Sequence, residues 1–250
     1  MENIKLCIII PTYNNERTVV DMIRSVKEYC NDVIVVNDGS TDSTHERLLD
    51  CSIEGLHIIE YAQNKGKGHA LVKGFKKARE MGFTHAITID ADGQHYASDI
   101  PTLLAGMNDN ANGIIVGSRN LIGQNISGKS SFANKFSNFW FRFQTGVNLP
   151  DTQSGYRLYA LDGLRGLSMI TARYEAELEF LVFASWSGVK ITSVPIKVYY
   201  PPQEERVSHF RPAADFTRIS VLNTILSIST IFYAWPVRLL RKIKVRSTKY

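Results

Sequence analysis

Short β-branched runs alternate with segments of helical period over the first 120 residues. The runs at 4–10, 32–37, 56–61, 84–90 and 113–118 predict strands. Between them Val19, Val20, Ile23 and Val26 mark one helical face, and Ala70, Leu71, Gly74, Phe75 and Ala78 mark another that Gly82 ends. Ser98 ahead of Asp99-Ile100-Pro101 reads as a helix N-cap with proline in the first turn. Alternation of this kind predicts an α/β fold: a mostly parallel central sheet with helices on both faces, and ligands at the carboxyl ends of its strands. Further on come an aromatic-rich helical stretch over 129–144, a polar loop through Asp151, a short strand over 156–161, a helix from about 175 to 187 and an alternating strand over 190–200. Pro201-Pro202 breaks the pattern and opens a charged surface loop. The expected division is a domain over 1–211 and an apolar helical appendage with a basic tail over 212–250.

Composition narrows the class. The 250 residues are 44% hydrophobic and 21% charged, which excludes disordered, collagenous and disulfide-scaffold chains. Cys7, Cys30 and Cys51 lack the spacing of a zinc site and read as reduced thiols of a cytoplasmic protein. The N-terminal apolar stretch, Leu6 to Ile10, is too short for a secretory signal. The net charge of +5 is misleading, because residues 238–250 carry six basic side chains and no acid, leaving −1 for the rest. That distribution speaks against nucleic acid and for an anionic membrane surface. Residues 219–237 contain no charged side chain, but Ser220, Asn223, Thr224, Ser227, Ser229 and Thr230 make them marginal for a span. A helix lying on the bilayer fits them better, with Tyr233 and Trp235 at headgroup level and the basic block adding about 1 kcal/mol per residue. The alternative is a helix docked on the domain or on a partner subunit. The expected location is the cytoplasmic face of a membrane, with contact through residues 219–250.

Candidate chemistry gathers at the strand ends. Asp90-Ala91-Asp92-Gly93-Gln94-His95 follows an apolar strand, and in extended chain Asp90, Asp92 and Gln94 face one way. Such an oxygen set suits Mg²⁺ or Mn²⁺ completed by substrate phosphate; the alternative is a solvated turn. Asp38 ends a second strand, where its carboxylate can accept from a nucleobase N–H or make an Asx-turn. Pro11-Thr12-Tyr13-Asn14-Asn15-Glu16 ends the first strand and offers the Tyr13 ring to a base, or is a plain helix entry with Glu16 in its first turn. Asn64-Lys65-Gly66-Lys67-Gly68 opens a helix with cations and free N–H groups, a weak phosphate signal by itself.

Taken with Gly117-Ser118-Arg119 and Asp151-Thr152-Gln153-Ser154-Gly155-Tyr156-Arg157, these ordered segments resemble the family 2 glycosyltransferases, in the branch that includes dolichyl-phosphate mannose synthase. The resemblance covers residues 4 to about 200. It implies a GT-A fold, a nucleoside-diphosphate sugar donor, a divalent metal on Asp90, Asp92 and Gln94, and inversion at the anomeric carbon. It further implies that Pro11, Tyr13, Glu16, Asp38, Lys67 and Asp90 serve the donor, with Tyr13 and Asp38 at the nucleobase, and that Arg119, Asp151 and Arg157 serve catalysis, with Arg119 near the diphosphate and the acceptor. A hydroxyl acceptor needs a carboxylate base, for which Asp151 is the candidate, whereas a phosphate monoester is already anionic. The expected acceptor is lipid-linked, a polyprenyl phosphate, because Lys129, Lys135, Arg157 and Arg206 offer more cations than a neutral sugar requires. The alternatives are a hydroxyl of a glycolipid or saccharide, and a sugar-nucleotide-binding membrane-surface protein without turnover. Two departures bear on the acceptor: lysines stand at 129 and 135 where the branch has arginines, and Arg206-Val207-Ser208-His209 ends in histidine where the branch has lysine.

Overall fold

A computed structural model describes residues 4–120, 128–167, 169–200 and 212–237. In chain order the elements are β1 (Leu6–Thr12), α1 (Val19–Lys27), β2 (Val33–Asn37), α2 (Thr44–Asp50), β3 (Leu56–Glu60), α3 (Lys67–Glu80), β4 (His85–Thr88), α4 (Ile100–Ala105), α5 (Met107–Asn110), β5 (Ile114–Arg119), α6 (Gly128–Thr145), β6 (Arg157–Ala160), α7 (Glu175–Trp186), β7 (Ile191–Ile196) and α8 (Pro212–Ser229), which continues through a π-helical turn, Thr230–Ala234. The seven strands form one sheet in the order β3-β2-β1-β4-β6-β5-β7. Only β6 runs antiparallel to its neighbours. The expected α/β architecture is therefore the observed one, with one reversed strand.

Strand residues alternate between two cores. Cys7 and Ile9 of β1 face a layer built from α3, α6, α7 and α8, whereas Ile8 and Ile10 face α1 and α4. Burial on both faces is why β1 and β2 read as unbroken apolar runs. The first strand runs later than expected, to Thr12, because Pro11 and Thr12 still pair with Val36 and Asn37. The fourth stops at Thr88, ahead of the expected Asp90, because its ladder with β6 ends at Thr88 opposite Arg157. The last strand ends at Ile196 instead of Tyr200; beyond it His95 and Val198 form an isolated bridge, and Tyr199 N–H donates to Gln94 O at 2.8 Å.

The reversal of β6 has a functional consequence. Parallel strands deliver their carboxyl ends to one edge of the sheet; a reversed strand delivers its entry loop there. Residues 151–156 therefore arrive beside the ends of β4 and β5, fastened by Thr88 Oγ1 to Gly155 O at 2.6 Å and by Gly117 N–H to Tyr156 O at 2.8 Å.

Helix α8 docks on the domain with its polar residues inward. Gln144 Nε2 of α6 donates to Asn223 Oδ1 at 3.1 Å and to Ser227 Oγ at 3.3 Å, and Leu222, Leu226, Thr230 and Ala234 are buried. The opposite face leaves Val221, Ile225, Ile228, Ile231 and Phe232 exposed, with Phe232 at 78%. Of the polar residues that weaken this segment as a membrane span, Asn223 and Ser227 serve packing against α6 beside Leu222 and Leu226, whereas Thr224 is exposed among the outward apolar side chains. By length and composition Thr217–Val237 is able to cross a membrane. The basic tail, Arg206 and His209 lie outside the described residues.

Candidate active site

At the end of β4, Asp90 stands in a partly buried charge cluster. Its carboxylate receives Lys67 Nζ at 2.7 Å on Oδ1 and 2.9 Å on Oδ2, and the same ammonium reaches Glu177 Oε2 at 3.0 Å. Burial alone would raise the Asp90 pKa, but Lys67 overrides it and the carboxyl is held below its ordinary range. For Lys67 burial opposes the charged form, yet the two carboxylates hold its pKa above the ordinary value. Asp92 has no such cation. Burial, and then the neighbouring charge of Asp90, push it up to about 6.

Two carboxylates sharing this space, one of them short of positive charge, fit a hard divalent cation. Among the described residues no group of three or more His, Cys, Asp or Glu side chains forms a ligating set. A cation there would complete its shell with water or with substrate oxygens, as magnesium sites commonly do. Gln94 lies on the following turn, with its N–H on Asp92 Oδ1 at 3.0 Å and its carbonyl taken by Tyr199.

Arg119 ends β5 and meets Asp151 in a two-pronged pair, Nε to Oδ2 at 2.6 Å and Nη2 to Oδ1 at 3.0 Å. Asp151 is 0% exposed, and its oxygens also accept the N–H groups of Arg119 and Gln153. Burial raises its pKa, but the Arg119 guanidinium prevails and holds the carboxyl below the ordinary range. Both prongs are occupied, and the group is a poor proton acceptor. Arg157, expected among the catalytic groups, is fully buried. Its guanidinium donates to the carbonyls of Ser154 at 2.7 Å, Glu177 at 2.9 Å and Thr152 at 3.0 Å, so it shapes the 151–156 loop.

On the donor side several of the expected residues are engaged by the protein itself. The register of β1 with β2 pairs Thr12 with Asn37, which makes Tyr13 and Asp38 the first residues beyond neighbouring strand ends. Yet Asp38 is buried, and its two oxygens accept Lys65 N–H at 2.8 Å and Gly66 N–H at 2.7 Å. It therefore braces the loop before α3 from a distance, in place of the local Asx-turn. Gly66 takes φ +100°, and a side chain there would collide with Ala172 O. That same carbonyl takes Gly68 N–H at 2.8 Å, so the start of α3 is closed by protein and the phosphate reading of residues 64–68 loses its free donors. Glu16 accepts Ser43 N–H at 3.0 Å and thereby ties the first loop to the second; Pro11 is buried inside β1. Lys135 is exposed on α6.

Two residues to which the sequence reading gives no role, one of them the last residue of the Asp90–His95 motif, lie beside this site. Glu177 is 6% exposed and comes from α7; its sequence signal is the set Glu175, Glu177 and Glu179 inside an otherwise apolar helix. His95 is buried against Tyr156, ring centroids 5.2 Å apart, with Nδ1 lacking a hydrogen-bond partner. Burial pushes its pKa down to about 4, so the imidazole is neutral at physiological pH.

Comparison with known proteins identifies the family. The chain is similar to the UDP-N-acetylglucosamine–dolichyl-phosphate N-acetylglucosaminyltransferase of Methanococcus voltae, 32% identical over 219 residues that cover 77% of this chain and 85% of the relative. It is also similar to the undecaprenyl-phosphate mannosyltransferase of Micrococcus luteus, 27% identical over 198 residues covering 75% and 81%. Among solved structures, S. aureus TarS 1–349 superposes with a TM-score of 0.60 at 16% identity, over 89% of this chain and 65% of that one, and supports the GT-A fold. Residues 7–165 match the pattern of glycosyl transferase family 2, and the chain belongs to that family.

Proposed function

We propose that the protein is an inverting glycosyltransferase moving a sugar from a nucleoside-diphosphate sugar to a polyprenyl phosphate at a membrane surface. The observation that carries this reading is the Arg119–Asp151 pair. With both Asp151 oxygens engaged and its pKa held down, the carboxylate favoured as a base for a hydroxyl acceptor is committed to positioning Arg119. An acceptor that is already anionic needs no base. Its phosphate oxygen attacks the anomeric carbon, the bond from that carbon to the diphosphate oxygen breaks, and the nucleoside diphosphate leaves with the electron pair. Arg119, whose charge reaches Asp90 and Asp92, would balance phosphate charge there. The lipid-phosphate acceptors in the names of both relatives point the same way.

Asp90, Asp92 and Gln94 are the residues that would hold Mg²⁺ or Mn²⁺, which when bound would stabilise the negative charge of the leaving diphosphate. Membrane attachment, which we place on the cytoplasmic face, is supported by the exposed apolar face of α8 and by exposed Phe132 and Phe139 on α6, the helix on which α8 packs. No nucleic-acid partner is proposed. The test is a panel of nucleotide sugars incubated with membrane lipid extract and Mn²⁺ or Mg²⁺, with products identified by mass spectrometry. The expected product is a polyprenyl phosphate one sugar heavier, lost when chelator is in excess. A neutral glycolipid as the only product would refute the acceptor, and unchanged turnover in chelator would refute the metal.

A further inference from the structure

Glu177 sits where the reaction gives it no part. It lies on α7 between Ala176 and Leu178, both buried, and one of its oxygens, Oε1, is buried without a partner. Its other oxygen holds Lys67 at 3.0 Å. Position at this residue is fixed twice, because Arg157 donates to the Glu177 carbonyl at 2.9 Å. An under-satisfied carboxylate in an apolar helix is costly unless its charge is used.

Its use follows from charge. Lys67 alone would neutralise Asp90, since its ammonium spans both Asp90 oxygens at 2.7 and 2.9 Å. A carboxylate so neutralised is a weak ligand for a cation. A second carboxylate on the same ammonium offsets that charge and returns negative potential to the space between Asp90 and Asp92. We propose that Glu177 is a charge-balancing, positioning residue: by sharing Lys67 with Asp90 it keeps Asp90 available to a divalent cation. The proposal rests on the reading of Asp90 and Asp92 as cation ligands.

The test uses the full chain and Mn²⁺ alone, with free Mn²⁺ followed by electron paramagnetic resonance and folding by thermal melting. Glu177→Gln keeps the shape and removes the charge; it should weaken Mn²⁺ binding by about 10-fold or more, given the strength of unit charges at such distances. Glu177→Asp keeps the charge and should stay within about 3-fold of the unaltered protein. Removing both charges, as Lys67→Gln with Glu177→Gln, should restore affinity, because no ammonium then competes for Asp90. Equal Mn²⁺ affinity of the unaltered protein and Glu177→Gln overturns the proposal. So does a double variant as weak as the single one, or Glu177→Asp falling as far as Glu177→Gln. If the unaltered protein binds no Mn²⁺, the cation reading of Asp90 fails first and this proposal with it.

Discussion

Asp151→Asn is expected to lower turnover by roughly 10²-fold or more with either class of acceptor, because its first effect is on Arg119. Reasoning from sequence alone predicts a modest loss with a phosphate acceptor and a large one with a hydroxyl. The geometry removes that distinction. Asp151 is fully buried and supplies both oxygens to the Arg119 guanidinium, so an amide there leaves a largely buried cation without its counter-charge and offers only one acceptor oxygen. Breaking a buried pair by losing one partner costs about 3 kcal/mol or more, and partial exposure of Arg119 places this case at the low end. Urea denaturation near neutral pH measures it. The pH dependence has a definite sign: a carboxyl whose folded pKa is depressed contributes its full stability above the unfolded value, about 4, and loses it as the pH falls through the folded value. The gap between the two proteins should therefore be widest near neutrality and should narrow below about pH 4. A gap that does not change with pH would contradict an ionised Asp151 as the source.

Gly155→Ala is expected to disable the donor site through a single methyl group. A β-carbon at this position would stand 2.7 Å from Lys67 Nζ, 2.8 Å from Asp90 Oδ2 and 3.0 Å from Glu177 Oε1. Lys67 has no free direction of retreat, since its ammonium is held by both carboxylates, and the Gly155 carbonyl is bound to Thr88. Relief must come from parting the ammonium from Asp90 or lifting the 151–156 loop that carries Asp151. Overpacking of this kind costs about 1–3 kcal/mol, and displacement of a reacting constellation by about 1 Å costs roughly 10²-fold in turnover. Melting temperature and turnover under saturating donor together give the check. Undiminished activity would mean that the charge cluster opens freely.

Much of this arrangement is legible in the chain because strand ends announce themselves. The apolar run over 86–89 stops at Asp90 and the one over 114–116 at Gly117, and the parallel rule sends such stops to one edge. The family resemblance supplied the roles that spacing alone left open between ligand and turn. The misses have two physical causes. Side chains that look like ligands are claimed by neighbouring backbone, as Asp38 is by Lys65 and Gly66 and Arg157 by three carbonyls; no local pattern tells a satisfied polar group from a free one. Conversely, Glu177 reaches the site from α7, about 90 residues after Asp90, and only the packing of α7 beside α3 brings it to Lys67. The appendage was ambiguous for a related reason. Its inward face mixes Asn223 and Ser227 with Leu222 and Leu226 and its outward face carries Val221, Ile225, Ile228 and Phe232, so both faces are apolar and composition does not say which one packs.

The central claim is that the acceptor is an anion needing no base, and one comparison addresses it directly. The full-length protein is given its preferred nucleotide sugar and, in matched detergent micelles, either a polyprenyl phosphate or the polyprenol of the same chain length. The account predicts sugar transfer to the phosphate with one phosphate retained in the product and nucleoside diphosphate released in equal amount, and no detectable transfer to the alcohol. Transfer to polyprenol at a rate equal to or above that on polyprenyl phosphate would contradict it.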